Sequence, residues 1–193
     1  MELLRLFVAI DLPRELKKNI SQVQRHLAQK SKGIKWVEDV NLHLTLKFLG
    51  EVPTERRNDI HLAIKESVQK MASIKLQLKG LGTFGSPGKP NVIWIGIEGQ
   101  REKLLNLHNS LDAKLSHLGF AREKRRYSPH LTLGRIKEGA VPNDIQQEID
   151  SLRQKNFGEL SVASIELFQS KLTSAGPIYK ILESTALECQ PGV

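Results

Sequence analysis

Cysteine is almost absent from this chain of 193 residues: the one copy, Cys189, stands in the C-terminal tail. A single thiol excludes a disulfide framework and a thiolate metal cluster, and it favours a reducing, cytoplasmic setting over secretion. Long hydrophobic runs are missing as well. The most apolar stretch, Leu3 to Ile10, is too short to span a bilayer, and Asp11-Leu12-Pro13 ends it without a small-residue cleavage site, so we read it as a buried strand rather than a membrane anchor or leader. No linker or low-complexity segment divides the chain, which argues for one continuous unit over residues 1–193. A P-loop of the form Gly-x-x-x-x-Gly-Lys-Ser/Thr is also lacking, and with it any support for a Walker-type nucleotide site.

What is there is ordinary in amount and unusual in arrangement. Hydrophobic residues make up 39% and charged residues 26%, as in a globular domain able to fold alone. Lys and Arg outnumber Asp and Glu by 29 to 21, and the formal charge of +8 suits a polyanionic partner. Four of those cations, in Arg122-Glu123-Lys124-Arg125-Arg126, lie directly before Tyr127-Ser128-Pro129-His130, where they could guide a phosphate chain.

The tetrapeptide His-Leu-Thr-Leu occurs twice, at residues 43–46 and 130–133. In a strand, alternate side chains share a face, so each copy sets its His and Thr side by side and turns two leucines the other way. Imidazole exchanges protons near neutrality, and a neighbouring hydroxyl can donate to a phosphate-like oxygen. Two such faces turned toward each other would hold an anion between an acid and a base. A lone histidine is more often packed or solvated than catalytic, but a matched pair agreeing at all four positions is not. His26, His61, His108 and His117 have no repeated context and read as surface or helix-face residues.

Hydrophobic periodicity organises the remainder. After the first strand we expect a helix from Pro13 to about Lys30, a short strand over 34–37, the first motif strand over 42–49, and a helix from Pro53 to about Met71. A strand over 74–78 follows, then the Gly- and Pro-rich segment 80–90 read as a loop, and a strand over 92–97. Leu104, Leu107, Leu111, Leu115 and Leu118 mark a helix closed by Gly119. The second motif strand over 130–136, a helix from Pro142 through Leu152, and two strands over 160–169 and 178–187 complete an α+β protein of two similar lobes, each supplying one motif strand to a shared cleft.

Two His-x-Thr-x motifs set in this order, with Arg5 to Ile10, Lys47-Phe48-Leu49-Gly50, Trp94, Ser128-Pro129, Gly134-Arg135 and Gly176-Pro177-Ile178-Tyr179 around them, resemble the 2H phosphoesterase superfamily. Within it the chain is similar to the RNA 2′,3′-cyclic phosphodiesterases once described as 2′-5′ RNA ligases. The resemblance covers nearly the whole chain; Asn91 and Tyr127 depart from it, standing where relatives often carry Arg and Phe. It implies a pseudo-twofold bilobal fold with two antiparallel sheets and outer helices, no metal or cofactor, and hydrolysis of a cyclic phosphate. His130 is then the general base and His43 the general acid that expels the 3′ oxygen to leave a 2′-phosphate.

Thr45 and Thr132 would hydrogen-bond the phosphate oxygens. Arg135 is a phosphate or ribose contact in the family pattern, yet it lies five residues past His130 and needs a bend or bulge near Gly134 to reach the same face, and a salt-bridged surface Arg is an equal reading. Trp36, Phe48 and Phe84 are candidates to stack on a base, against a competing role in core packing that is the stronger reading for Phe48; Trp94 reads as core. The expected partners are RNA with 2′,3′-cyclic phosphate ends or small cyclic nucleotides, acted on by a monomer away from any membrane. Two histidines with two hydroxyls make a poor zinc site. The alternative kept open is an RNA-end binder with weak reversible 2′-5′ ligation and little hydrolysis.

Overall fold

A computed structural model describes residues 2–86, 89–137, 143–174 and 176–188, the side chains of Asn143 and Asp144 excepted. Strand β1 (Leu3–Asp11) is buried on both faces, which is why it reads as an unbroken apolar run. Leu4, Leu6, Val8 and Ile10 turn into the main core, whereas Phe7 and Ala9 join Phe168 in a smaller cluster on the other face. Helix α1 (Arg14–Lys30) starts immediately after Pro13, whose fixed φ suits a helix entrance, and buries Leu16, Ile20 and Leu27. Strands β2 (Ile34–Trp36) and β3 (His43–Pro53), helix α2 (Arg57–Ser67), and strands β4 (Ile74–Ser86) and β5 (Lys89–Gly99) follow. The second half runs through α3 (Arg101–His117), β6 (His130–Ile136), α4 (Asn143–Ser151), β7 (Asn156–Val162), β8 (Ser164–Leu172) and β9 (Pro177–Ala186).

Two antiparallel sheets result, ordered β3-β1-β8-β9 and β2-β6-β5-β4-β7. Apart from the extra edge strand β2, the orders correspond: motif strand, then the first strand of its half, then a strand from the other half (β8 or β4), then a second-half strand at the edge (β9 or β7). Each sheet therefore combines both halves of the chain. The motif leucines Leu44, Leu46, Leu131 and Leu133 all enter one continuous core with the leucine stripe of α3.

Two expectations are corrected. Residues 80–86 and 89–90 are not a loop: they belong to the facing arms of the β4–β5 hairpin, and Pro87 and Gly88 lie outside the described residues. The glycines that argued against regular structure make it possible. Gly80 and Gly85 take positive φ at the two register shifts, and a Cβ at Gly82 would run into the Trp94 ring across the pair. Nor do residues 160–169 form one strand, because the chain leaves the five-stranded sheet after Val162 and enters the other at Ser164. The buried residues show it by changing parity, from Leu160 and Val162 to Ile165 and Leu167. The helix signal at Pro142 begins outside the described residues, and Cys189 also lies outside them.

Candidate active site

His43 opens β3 and His130 opens β6, and each ring is fixed in the same way. Nδ1 of His43 lies 2.6 Å from the carbonyl oxygen of Asn41, and Nδ1 of His130 lies 2.8 Å from that of Ser128, in both cases the residue two positions earlier. A carbonyl can only accept, so Nδ1 carries the proton in each neutral ring and Nε2 is left free for chemistry. The two strands then depart from ideal pairing at the same place. Thr45 pairs with Ala9 and Lys47 with Val8, leaving Leu46 without a partner; Thr132 pairs with Trp94 and Gly134 with Ile93, leaving Leu133 without one. These bulges reverse the side-chain alternation, so the fifth residue after each histidine returns to the cleft face. In β6 that residue is Arg135, and in β3 it is Phe48.

His43, Thr45, His130, Thr132 and Arg135 consequently line one cavity of about 680 Å³, together with Phe48, Phe84, Arg125, Arg126 and Tyr179. Phe48 is 65% exposed, so its expected place in the core is wrong: the bulge at Leu46 turns it outward while Lys47 goes in. Phe84, 36% exposed, stands edge-on to His130 with centroids 4.7 Å apart. Trp36 does not reach the cavity, because it packs against the core behind Gly134 on the edge strand β2. Trp94 is not core either; it pairs with Thr132 on the cleft side, half-buried against Phe84.

The two histidines have different surroundings. Phe7 and Tyr179 approach the His43 ring with centroids at 4.9 and 5.3 Å, and Phe168 at 6.0 Å. Burial among these rings holds its pKa below the ordinary 6.5, against the opposing pull of the Asn41 carbonyl and Asp11. Burial also raises the Tyr179 hydroxyl, with Arg135 and Arg5 acting the other way. Tyr179 is visible in the sequence only within the Gly176-Pro177-Ile178-Tyr179 segment of the resemblance.

Beneath the cavity lies a support that sequence reasoning missed. His108, read as a surface or helix-face residue, is 4% exposed, because it sits one turn from both Leu104 and Leu111 on the buried stripe of α3. It stacks on Tyr127 at 4.0 Å, and the Tyr127 hydroxyl donates to the Thr45 carbonyl at 2.7 Å. Lys47, 3% exposed, donates to Asp112 at 2.5 Å and to the Ala121 carbonyl at 2.7 Å. The cationic segment before His130 is thereby fastened to the first motif strand at both ends. Among the described residues no three His, Cys, Asp or Glu side chains are placed to hold a metal ion, and no helix is long and apolar enough to cross a membrane.

Comparison with known proteins follows the same division into halves. The family model for LigT like phosphoesterases matches twice, over residues 10–94 and 95–179. The chain belongs to the LigT-like phosphoesterases. Among them it falls in the RNA 2′,3′-cyclic phosphodiesterase family: it is 42% identical over 180 residues to the enzyme of that name from Methanocaldococcus jannaschii, covering 93% of this chain and 99% of the relative. The Archaeoglobus fulgidus enzyme of the same name is 40% identical, covering 93% and 98%. The LigT-like architecture extends to solved structures. Escherichia coli LigT complexed with 3′-AMP superposes with a TM-score of 0.76 at 27% identity, covering 96% of this chain and 99% of that one.

Proposed function

We propose that this protein hydrolyses the 2′,3′-cyclic phosphate of RNA ends, or of small cyclic nucleotides, to a 2′-phosphomonoester without a metal ion. The observation that carries the reading is the pair of His-x-Thr faces across one cavity, each histidine tied through Nδ1 so that Nε2 is free. Opening the ring requires a base for the incoming water and an acid for the departing oxygen, placed on opposite sides of phosphorus. His130 Nε2 takes the water proton as the water oxygen bonds to phosphorus; the bond from phosphorus to the 3′ oxygen breaks, and His43 protonates that oxygen.

The surroundings support this division of roles. Aromatic walls around His43 suit the sugar that carries the leaving oxygen, and Phe48 and Phe84, which line the cavity, offer rings on which bases can stack. Thr45, Thr132 and Arg135 face the same cavity, where hydroxyl and guanidinium donors stabilise charge growing on the non-bridging oxygens. The names of the M. jannaschii and A. fulgidus relatives, and the 3′-AMP held by E. coli LigT, agree with a nucleotide phosphate as the ligand. One chain supplies both motif strands, so the proposed site needs no residue from a second copy, in keeping with a monomer.

The test is incubation with an oligonucleotide ending in a 2′,3′-cyclic phosphate in the presence of chelator. The expected product carries a phosphate that resists an enzyme specific for 3′-phosphates. Turnover abolished by chelator would exclude the metal-free mechanism. Tight binding of the end without turnover would favour an RNA-end binder instead.

A further inference from the structure

The cavity between the histidines opens in two directions. Along β3 it continues into a groove of about 540 Å³, with Lys47, Phe48, Glu123 and Arg125 shared between the two spaces. Behind His130 it meets a smaller recess of about 270 Å³, sharing Phe84, Ser128 and His130. Among the described residues these are two spaces through which an RNA whose terminal cyclic phosphate occupies the centre can leave. We infer that the RNA leaves along β3, where Phe48, Arg122, Lys124 and Arg125 form a subsite for the nucleotide preceding the cyclic phosphate. The inference rests on the function proposed above and extends it to single-stranded RNA of two or more nucleotides.

Reaction geometry selects the direction. In-line displacement puts the nucleophile and the leaving 3′ oxygen on opposite sides of phosphorus, and the ribose stays with the leaving oxygen. With His43 as acid the ribose, and the chain joined to it, lies on the His43 side, where the β3 groove opens. The recess behind His130 lies on the side of the attacking water.

Charge points the same way. Among the described residues no carboxylate pairs with Arg122, Lys124 or Arg125, and Glu123, their acidic neighbour, lies 3.7 Å from the buried Lys47 ammonium. In the recess, Lys79 is held by Glu98 at 3.3 Å and Arg153 by Asp150 at 2.8 Å, which among the described residues leaves Arg101 alone uncommitted there. Free cations along a groove attract a phosphate backbone, and neutralised ones do so weakly. Phe48 adds an apolar ring open to water beside them, a face on which any base can stack. The loop carrying the cations is already ordered by Lys47 and Tyr127, so binding need not order it.

The experiment compares kcat/KM for a mononucleotide 2′,3′-cyclic phosphate and for a pentanucleotide with the same terminal base, at low and high salt. The pentanucleotide is expected to be the better substrate at low salt by about tenfold or more, with the advantage shrinking as salt rises. The double variant Arg122→Ala, Lys124→Ala should lose most of that advantage while hydrolysing the mononucleotide within about twofold of the parent. The double variant Arg101→Ala, Arg153→Ala should change neither. Equal loss on both substrates in the first variant, or a selective loss on the pentanucleotide in the second, would overturn the assignment. If the parent turns over neither substrate, the functional reading fails by itself. Fluorescence anisotropy with a labelled pentanucleotide 3′-phosphate then decides the track: weaker binding by the Arg122, Lys124 variant supports it, and unchanged binding rejects it.

Discussion

Strands β3 and β6 carry the same tetrapeptide, the same tie from Nδ1 to a carbonyl two residues back, and the same bulge three residues after the histidine. They differ in what surrounds that common frame. His43 is packed among Phe7, Phe168 and Tyr179, whereas His130 meets the edge of Phe84. The fourth residue after each histidine is a buried Lys47 in one strand and Gly134 in the other; the fifth is Phe48 or Arg135. In the proposed reaction, symmetry sets two proton carriers on opposite sides of a phosphate. Asymmetry gives them different tasks, one beside the sugar and one open to water.

The strongest way to break the comparison is to remove either ring. His43→Ala and His130→Ala should each lower kcat/KM on a cyclic phosphate by about 10²- to 10⁴-fold with the fold retained by circular dichroism. The double variant should fall little further, since both act on one transition state. Near-parental activity in either single variant would end the pairing.

The fourth positions separate the strands by stability rather than rate. Asp112→Ala leaves the Lys47 ammonium buried without its main partner and should cost about 3–5 kcal/mol in denaturant unfolding. Gly134→Ala places a methyl 2.9 Å from Ile34 Cγ2 and 3.0 Å from Trp36 Cε3, and should cost a smaller amount, about 1–3 kcal/mol. A neutral result for Asp112→Ala would mean that Lys47 reaches solvent or Glu123 at little cost.

Thr45→Val and Thr132→Val preserve shape and delete the hydroxyls. Each should lose about 1–3 kcal/mol of transition-state stabilisation, measured as kcat/KM, with the shape of the pH profile kept. If melting temperature falls while kcat/KM stays within about twofold, the hydroxyls serve the fold alone.

The smallest effect is the most discriminating between the histidines. As the acid, His43 must be protonated, so activity declines as pH rises through its pKa, which burial holds below 6.5 in the free protein. A bound phosphate anion favours the imidazolium and raises that pKa. The alkaline limb of kcat should therefore lie at higher pH than that of kcat/KM. The reverse order, with chemistry rate-limiting, would argue that His43 is not the acid.

Much of the site is legible in the order of the amino acids. Strand alternation alone places His43 with Thr45 and His130 with Thr132, and counting five residues from His130 shows that Arg135 requires a bulge near Gly134; β6 has that bulge at Leu133. The same count from His43 leads to Phe48, but an aromatic residue fits a core as readily as a cleft, so its outward turn does not show in the pattern. His108 reads as a surface or helix-face residue because its surroundings are helical, polar and unrepeated, although its spacing from Leu104 and Leu111 lies on the buried stripe of α3.

By itself, the sequence determined which residues share a face, since that depends only on the two-residue repeat of a strand and the 3.6-residue repeat of a helix. It also set an imidazole beside a hydroxyl twice over, because that neighbourhood is a local property of four consecutive residues. Tertiary structure alone decided the features that arise between distant segments. It passed the chain from one sheet to the other at Ala163, laid aromatic rings from β1, β8 and β9 around His43, and fastened the basic loop to β3 through Lys47 and Tyr127. Burial and hydrogen-bond partners are set by what another part of the chain places against a residue, and no local periodicity contains that information.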